Sequence, residues 1–144
     1  MTGDPIEARL RRLEDLEEIR QLFIDYGQLL DQGDFAAYAG LFADDGELML
    51  GPLGRARGPA EIEAMMRRVG GSGGSLHLIT SPVIDLDGDR ARARVMWTVI
   101  NPADDANPAV GMVGHHEDDL VRERGRWRFA RRRGFVEIPT TVRR

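Results

Sequence analysis

An α+β fold class follows from three features of this 144-residue sequence. Apolar residues recur every three or four positions as far as Val69, they alternate from Leu76 onward, and Gly- or Asp-bearing turn signals separate the alternating runs. Helices first and antiparallel strands afterwards place the helices over one face of a single sheet. The length suits one domain, taken as residues 1–144.

Asp4-Pro5 opens the first helix, with Asp as N-cap and Pro at the first helical position. Ile6, Leu10, Leu13, Leu16, Ile19, Leu22, Phe23, Tyr26, Leu29 and Leu30 form one buried stripe, which Gln32-Gly33-Asp34 ends. Asp34 caps a second helix, Phe35 to Phe42, with Phe35, Tyr38, Leu41 and Phe42 inward. Ala43-Asp44-Asp45-Gly46 reads as a turn, Glu47 to Leu50 as a short strand and Gly51 to Gly58 as loop. Pro59 starts a third helix that buries Ile62, Met65, Met66 and Val69. Gly70 to Ser75 has the composition of a flexible loop.

The period then becomes two. Leu76 to Leu86 is a strand, Asp87-Gly88-Asp89 a hairpin turn, and Arg90 to Asn101 the return strand. Ala91, Ala93, Val95, Trp97 and Val99 take one face of that strand; Arg92 and Arg94 take the other. After a loop from Pro102 to Pro108, Val110 to Arg124 and Trp127 to Ile138 make a second hairpin around Gly125-Arg126.

Composition narrows the chemistry. Cysteine is absent and all 20 basic residues are arginine, which excludes disulfides, thiolate nucleophiles, Cys-based metal sites and lysine Schiff bases. Serine occurs only at Ser72, Ser75 and Ser81, none in a G-x-S-x-G setting. Carboxylates, three histidines and tyrosines remain. The formal net charge of −4 argues against a nucleic-acid footprint despite Arg131-Arg132-Arg133, which reads as solvated or inter-subunit surface. No apolar run approaches the ~20 residues of a membrane span, and the start lacks a signal-peptide pattern. A soluble, cytoplasmic protein is expected.

Several fragments carry a family resemblance when taken in order. They are Asp15 to Ile19 leading into Tyr26 and Leu30-Asp31-Gln32-Gly33-Asp34, then Leu41 to Gly46, and Gly58 before the third helix. His77 opens the first long strand, Asp87-Gly88-Asp89-Arg90-Ala91 turns it, and Gly114 to Leu120 with Arg126-Trp127-Arg128-Phe129 closes the set. From about Leu13 to Arg133 the chain resembles the SnoaL-like branch of the nuclear transport factor 2-like superfamily. The resemblance implies a cone: a strongly curved mixed or antiparallel sheet wrapped by three N-terminal helices, with a pocket at its open end. It also implies homo-oligomerisation, as a homodimer through the outer sheet face or another homo-oligomer. Members include dehydratases, dehydrochlorinases, polyketide cyclases and isomerases, which work without cofactor or metal; others perform no chemistry, so fold alone does not name the reaction.

Asp31 lies at the negative end of the first helix dipole, a position not chosen for helix stability. It is either a solvated turn residue or, as the resemblance implies, the carboxylate partner of His77. His77 is either a packed strand histidine or the other half of that Asp–His dyad. In such a dyad the carboxylate orients one ring nitrogen and the other moves a substrate proton. Tyr26, five residues before Asp31 and roughly 140° around the helix, is a packed phenol or a donor to a substrate oxygen. His115 and His116 point to opposite faces, so only one meets the interior, and their spacing supports no metal site. His116 shares a face with Asp118, as a second acid/base element or a structural contact. Trp97, Phe42, Met49, Met65, Met66 and Met112 are core residues or pocket walls suited to a small apolar or aromatic ligand. Ser81 and Pro82 depart from the family, in which many members carry asparagine four residues after the histidine. The loops 70–75 and 51–58 offer lips to the mouth.

The sequence thus points to a dehydratase-, isomerase- or cyclase-like acid/base enzyme. A ligand-binding or association domain on the same scaffold is the alternative.

Overall fold

A computed structural model describes residues 3, 5–71, 73–102 and 107–138. Asp4, the expected N-cap, lies outside them, as do Ser72 and residues 103–106 of the expected loop. Three helices, α1 (Ile6–Gln32), α2 (Phe35–Ala39) and α3 (Pro59–Val69), lie with six strands: β1 (Phe42–Met49), β2 (Arg55–Arg57), β3 (Leu76–Asp87), β4 (Arg90–Pro102), β5 (Pro108–Glu123) and β6 (Arg126–Ile138). The strands form one curved, mixed, unclosed sheet in the order β2-β1-β6-β5-β4-β3, with β1 and β6 parallel and the other pairs antiparallel.

The single buried stripe expected on α1 is corrected. Ile6, Leu10 and Leu13 are exposed, whereas Asp15, Ile19, Leu22, Phe23 and Tyr26 are buried. The cause is the run Leu10, Leu13, Leu16, Ile19: each step of three turns the helix ~60° short of a full circle, so three steps cross to the opposite face. Pro5 occupies the cap position itself, and Ile6 is the first helical residue.

Asp15 takes the place on the buried face. Its carboxylate accepts from the Arg122 guanidinium and, at 3.1 Å, from the Trp127 indole N–H, joining α1 to the last hairpin. Burial pushes this carboxyl upward, but those hydrogen bonds and the charges of Arg122 and Arg11 outweigh it and hold it below the usual range. A carboxyl lowered on folding stabilises the protein above its unfolded value and loses that contribution as pH falls through the folded value. We expect Asp15→Asn to cost about 1–3 kcal/mol near neutrality. The gap from wild type should close below about pH 4, as urea titrations at several pH values would show. A gap independent of pH would contradict this role.

Phe42 was expected to end α2; instead it starts β1, with Asp34 capping the shorter α2 through the Ala37 N–H at 3.1 Å. The expected turn at Ala43 to Gly46 is an irregular stretch within β1, where the pairing with β6 jumps between Phe42 and Glu47. Gly46 permits it, since a Cβ there would stand 2.7 Å from the Phe129 carbonyl oxygen. The supposed loop 51–58 contains β2, which pairs with Glu47 to Met49. The last turn sits one residue earlier than expected: Arg124 and Gly125, at φ 50° and 77°, make the two-residue connection that matches strand twist.

Among the register shifts of the sheet, two decide which side chains of β3 and β6 face inward. In β3 the register breaks between Thr80 and Val83, with Ser81 at φ 54°, so His77 and Ile79 share the inner face with Ile84 and Leu86. In β6 Ala130 is the extra residue between the pairs Phe129–Leu120 and Arg131–Asp119. Trp127, Phe129 and then Arg132 therefore point inward. Tyr26, Tyr38, Phe42 and Phe129 form the aromatic centre, with α3 contributing Ile62, Met65 and Met66 as expected.

Candidate active site

The end of α1 is set by Gly33 at φ 72°, whose N–H meets the Leu30 carbonyl while Asp34 N–H meets that of Leu29. This places Asp31 in the last helical turn against β3. Gly27, one turn earlier, allows the close approach: a Cβ there would lie 3.0 Å from Ile79 Cγ1 and 3.5 Å from the His77 carbonyl oxygen. Asp31 Oδ1 is 2.6 Å from His77 Nδ1. Both carboxylate oxygens also accept the His77 backbone N–H, at 3.1 and 3.0 Å. A carboxylate fixed in this way accepts the Nδ1–H and leaves Nε2 with its lone pair. Both side chains retain partial exposure, 23% for His77 and 16% for Asp31.

Deeper along the inner face the register gives a diagonal row. His77 pairs with Val99, Trp97 lies two residues on and opposite Gly114, and His116 lies two beyond that. His116, not His115, is the interior histidine. It meets Tyr26 edge-on at 5.3 Å and Trp97 at 6.0 Å between ring centroids. Burial, with the charge of Arg132 and the neighbouring His115 and His77, drives His116 well below the usual imidazole range, so it is neutral. His115 faces outward, stacked on Phe135 at 4.9 Å and 2.6 Å from Glu137.

Tyr26 is buried, and its hydroxyl oxygen accepts from the Tyr38 hydroxyl at 2.7 Å. Burial raises both phenols above their ordinary range, so both keep their protons. Asp118 does not pair with His116. It takes Arg132 bidentately, at 2.7 and 3.0 Å, and both side chains are 0% exposed. Arg132 lies 4.1 Å from the Tyr26 ring centre and 4.2 Å from that of Phe129. Burial disfavours its charge, but Asp118 more than restores it and keeps the guanidinium protonated.

Arg132 as solvated or inter-subunit surface is therefore corrected, because the Ala130 bulge turns it inward. The walls expected at Phe42, Met49 and Met112 separate. Phe42 belongs to the aromatic centre, and Met112 is an exposed inner-face residue nearer the open end. Met49 is corrected: it pairs with Arg133 on the outer face, and Leu50 approaches the interior beside Gly134 instead. Two surface clefts, of about 210 and 260 Å³, lie away from Asp31 and His77. One is lined by Gln21, Leu22, Gly40 and Arg128, the other by Arg11, Arg12, Asp15 and Asp89. Among the described residues, no group of three or more His, Asp or Glu side chains is placed to hold a metal ion.

A curved, open mixed sheet wrapped by three helices, with polar groups set into its inner face, is the architecture of nuclear transport factor 2-like, cystatin-like domains. The chain belongs to the SnoaL-like domain family, whose pattern matches residues 11–133. It is similar in structure to a nuclear transport factor 2-like protein with a cystatin-like fold from Novosphingobium aromaticivorans, at 31% identity and TM-score 0.84, covering 94% of this chain and 92% of that one. ActVI-ORFA from Streptomyces coelicolor is similar at 26% identity and TM-score 0.76, covering 85% and 96%. A putative scytalone dehydratase from N. aromaticivorans shares the fold at 22% identity and TM-score 0.76, covering 92% and 91%. No curated protein matches this chain in sequence.

Proposed function

We propose that this chain is a cofactor-independent acid/base enzyme acting on a small, largely apolar or aromatic organic molecule. The observation that carries the reading is the 2.6 Å contact between Asp31 Oδ1 and His77 Nδ1 at a partly open position on the inner face. His77 Nε2 takes a proton beside an electron-withdrawing or leaving group, and Asp31 stabilises the imidazolium that forms. Elimination, isomerisation or cyclisation then follows from pocket shape. A pH–rate profile on a substrate found by screening tests this. The pH dependence that wild type shows should be absent from His77→Gln, and His116, already neutral, contributes none near neutral pH. A flat profile would remove the mechanism.

A second reading, an association domain, draws on the outer sheet face. Leu78, Thr98, Val113 and Ile138 make one cross-strand row and Thr80, Met96, His115 and Phe135 the next, with Leu78, Phe135 and Ile138 exposed. This face suits a second copy, whether or not the chain is also an enzyme. Light scattering should give twice the 16.1 kDa chain mass at micromolar concentration, and Phe135→Glu should shift it to the monomer. A monomeric wild type would refute the dimer.

A further inference from the structure

We infer that the inner face beyond His77 holds a subsite for a ligand's acceptor oxygen, such as a ketone carbonyl, in which the Trp97 indole N–H is the specificity-determining donor and His116 shapes its floor. This rests on the proposed function of the same site and deepens it by naming what the ligand must carry.

Three observations support it. Trp97 is 8% exposed and Arg132 0%, yet Trp97 Nε1 and Arg132 Nη1 have no hydrogen-bond partner among the described residues. Both nitrogens can only donate, so what satisfies them is an acceptor. Buried polar groups are ordinarily paired, and with His116 Nδ1 these make three unpartnered nitrogens on one inner face, a place built for something else. The second observation is steric. A Cβ at Gly114 would stand 2.3 Å from Trp97 Cζ2 and 2.7 Å from its Cε2. Glycine at this position gives the indole its seat against the sheet.

The third is electrostatic and positional. Asp118 takes the Nε and Nη2 edge of Arg132, which leaves Nη1 as a donor, and the neutral His116 adds no charge, so this depth favours an uncharged acceptor oxygen over a charged group. Trp97 is the diagonal neighbour of His77 across β3 and β4, so a small ring meeting His77 with one edge brings its oxygen toward the indole. Nearer the open end, Met112 and Val136 on the same face are exposed and apolar, which suits the rest of such a molecule.

Acetophenone and ethylbenzene have nearly the same shape and differ in the carbonyl oxygen. Each is titrated into ¹⁵N-labelled full-length protein while the two indole N–H signals are followed. Trp127, whose N–H is already bonded to Asp15, serves as the internal reference. Acetophenone should shift the Trp97 signal downfield and leave Trp127 unmoved, and ethylbenzene should cause no downfield shift. Wild type should favour acetophenone roughly tenfold, Trp97→Phe should bring the two close to parity, and His77→Gln should keep the preference. No preference in wild type, a preference surviving in Trp97→Phe, or no binding of the ketone would overturn the subsite. Failure of the proton-transfer reading looks different: His77→Gln would stay fully active with the ketone preference intact.

Discussion

Replacing His77 with glutamine should lower turnover by about two to four orders of magnitude, the usual contribution of a positioned general base. Glutamine retains length and polarity but cannot accept a proton near neutral pH, so substrate binding changes far less than kcat. Asp31→Asn tests the other half of the pair. The amide keeps the shape yet offers an N–H as readily as an oxygen toward Nδ1, and it removes the charge that stabilises the imidazolium. Activity should fall by about 10²-fold or more, because the ring then favours the tautomer with its proton on Nε2. His77 N–H contacts both Asp31 oxygens, so this variant also loosens the join between α1 and β3, and thermal stability must be measured beside activity. Full activity in both variants would leave the 2.6 Å contact a structural one.

Asp118→Ala should destabilise the protein by about 3–5 kcal/mol, because it leaves the Arg132 guanidinium charged and buried without a counterion. For a domain of this size each kcal/mol lowers the melting temperature by roughly 2–4 °C, so a drop near 10 °C is expected. The double variant Asp118→Leu with Arg132→Met removes both charges together. It should recover most of the loss, since desolvating the ion pair offsets much of its attraction. Chemical denaturation of the three proteins measures this directly. A loss under about 1 kcal/mol for Asp118→Ala would mean that water reaches Arg132. The pair also has a placing role: it holds Arg132 against Tyr26 and Phe129, and its fixed charge helps keep His116 neutral.

What could be read along the chain was whatever depends on near neighbours. Ala91, Ala93, Val95, Trp97 and Val99 alternate without interruption, and all five are buried as that alternation requires. Gly33 after a long apolar-periodic run ends α1, and Asp34 caps the next helix, because caps and turns are set by a few residues. The α+β class rests on the same local signals. Asp31 and His77 could be singled out, yet 46 residues separate them, and no local pattern specifies a 2.6 Å contact between them.

Tertiary structure decided everything that depends on register and rotation. One extra residue at Ala130 turns Arg132 from the outer face to the interior. Pairing with Val95 makes His116 the inner histidine, while the adjacent His115 goes out to Phe135 and Glu137. Drift of the three-residue steps along α1 exposes Ile6, Leu10 and Leu13 and buries Asp15. The absence of side chain at Gly27 and Gly114 matters only because Ile79 and Trp97 arrive there from distant strands. The sequence by itself determined the fold class, the order of elements and a short inventory of groups able to move protons. Which of those groups meet on the inner face is settled by packing, because a side chain's face depends on the cumulative phase of the whole strand or helix that carries it.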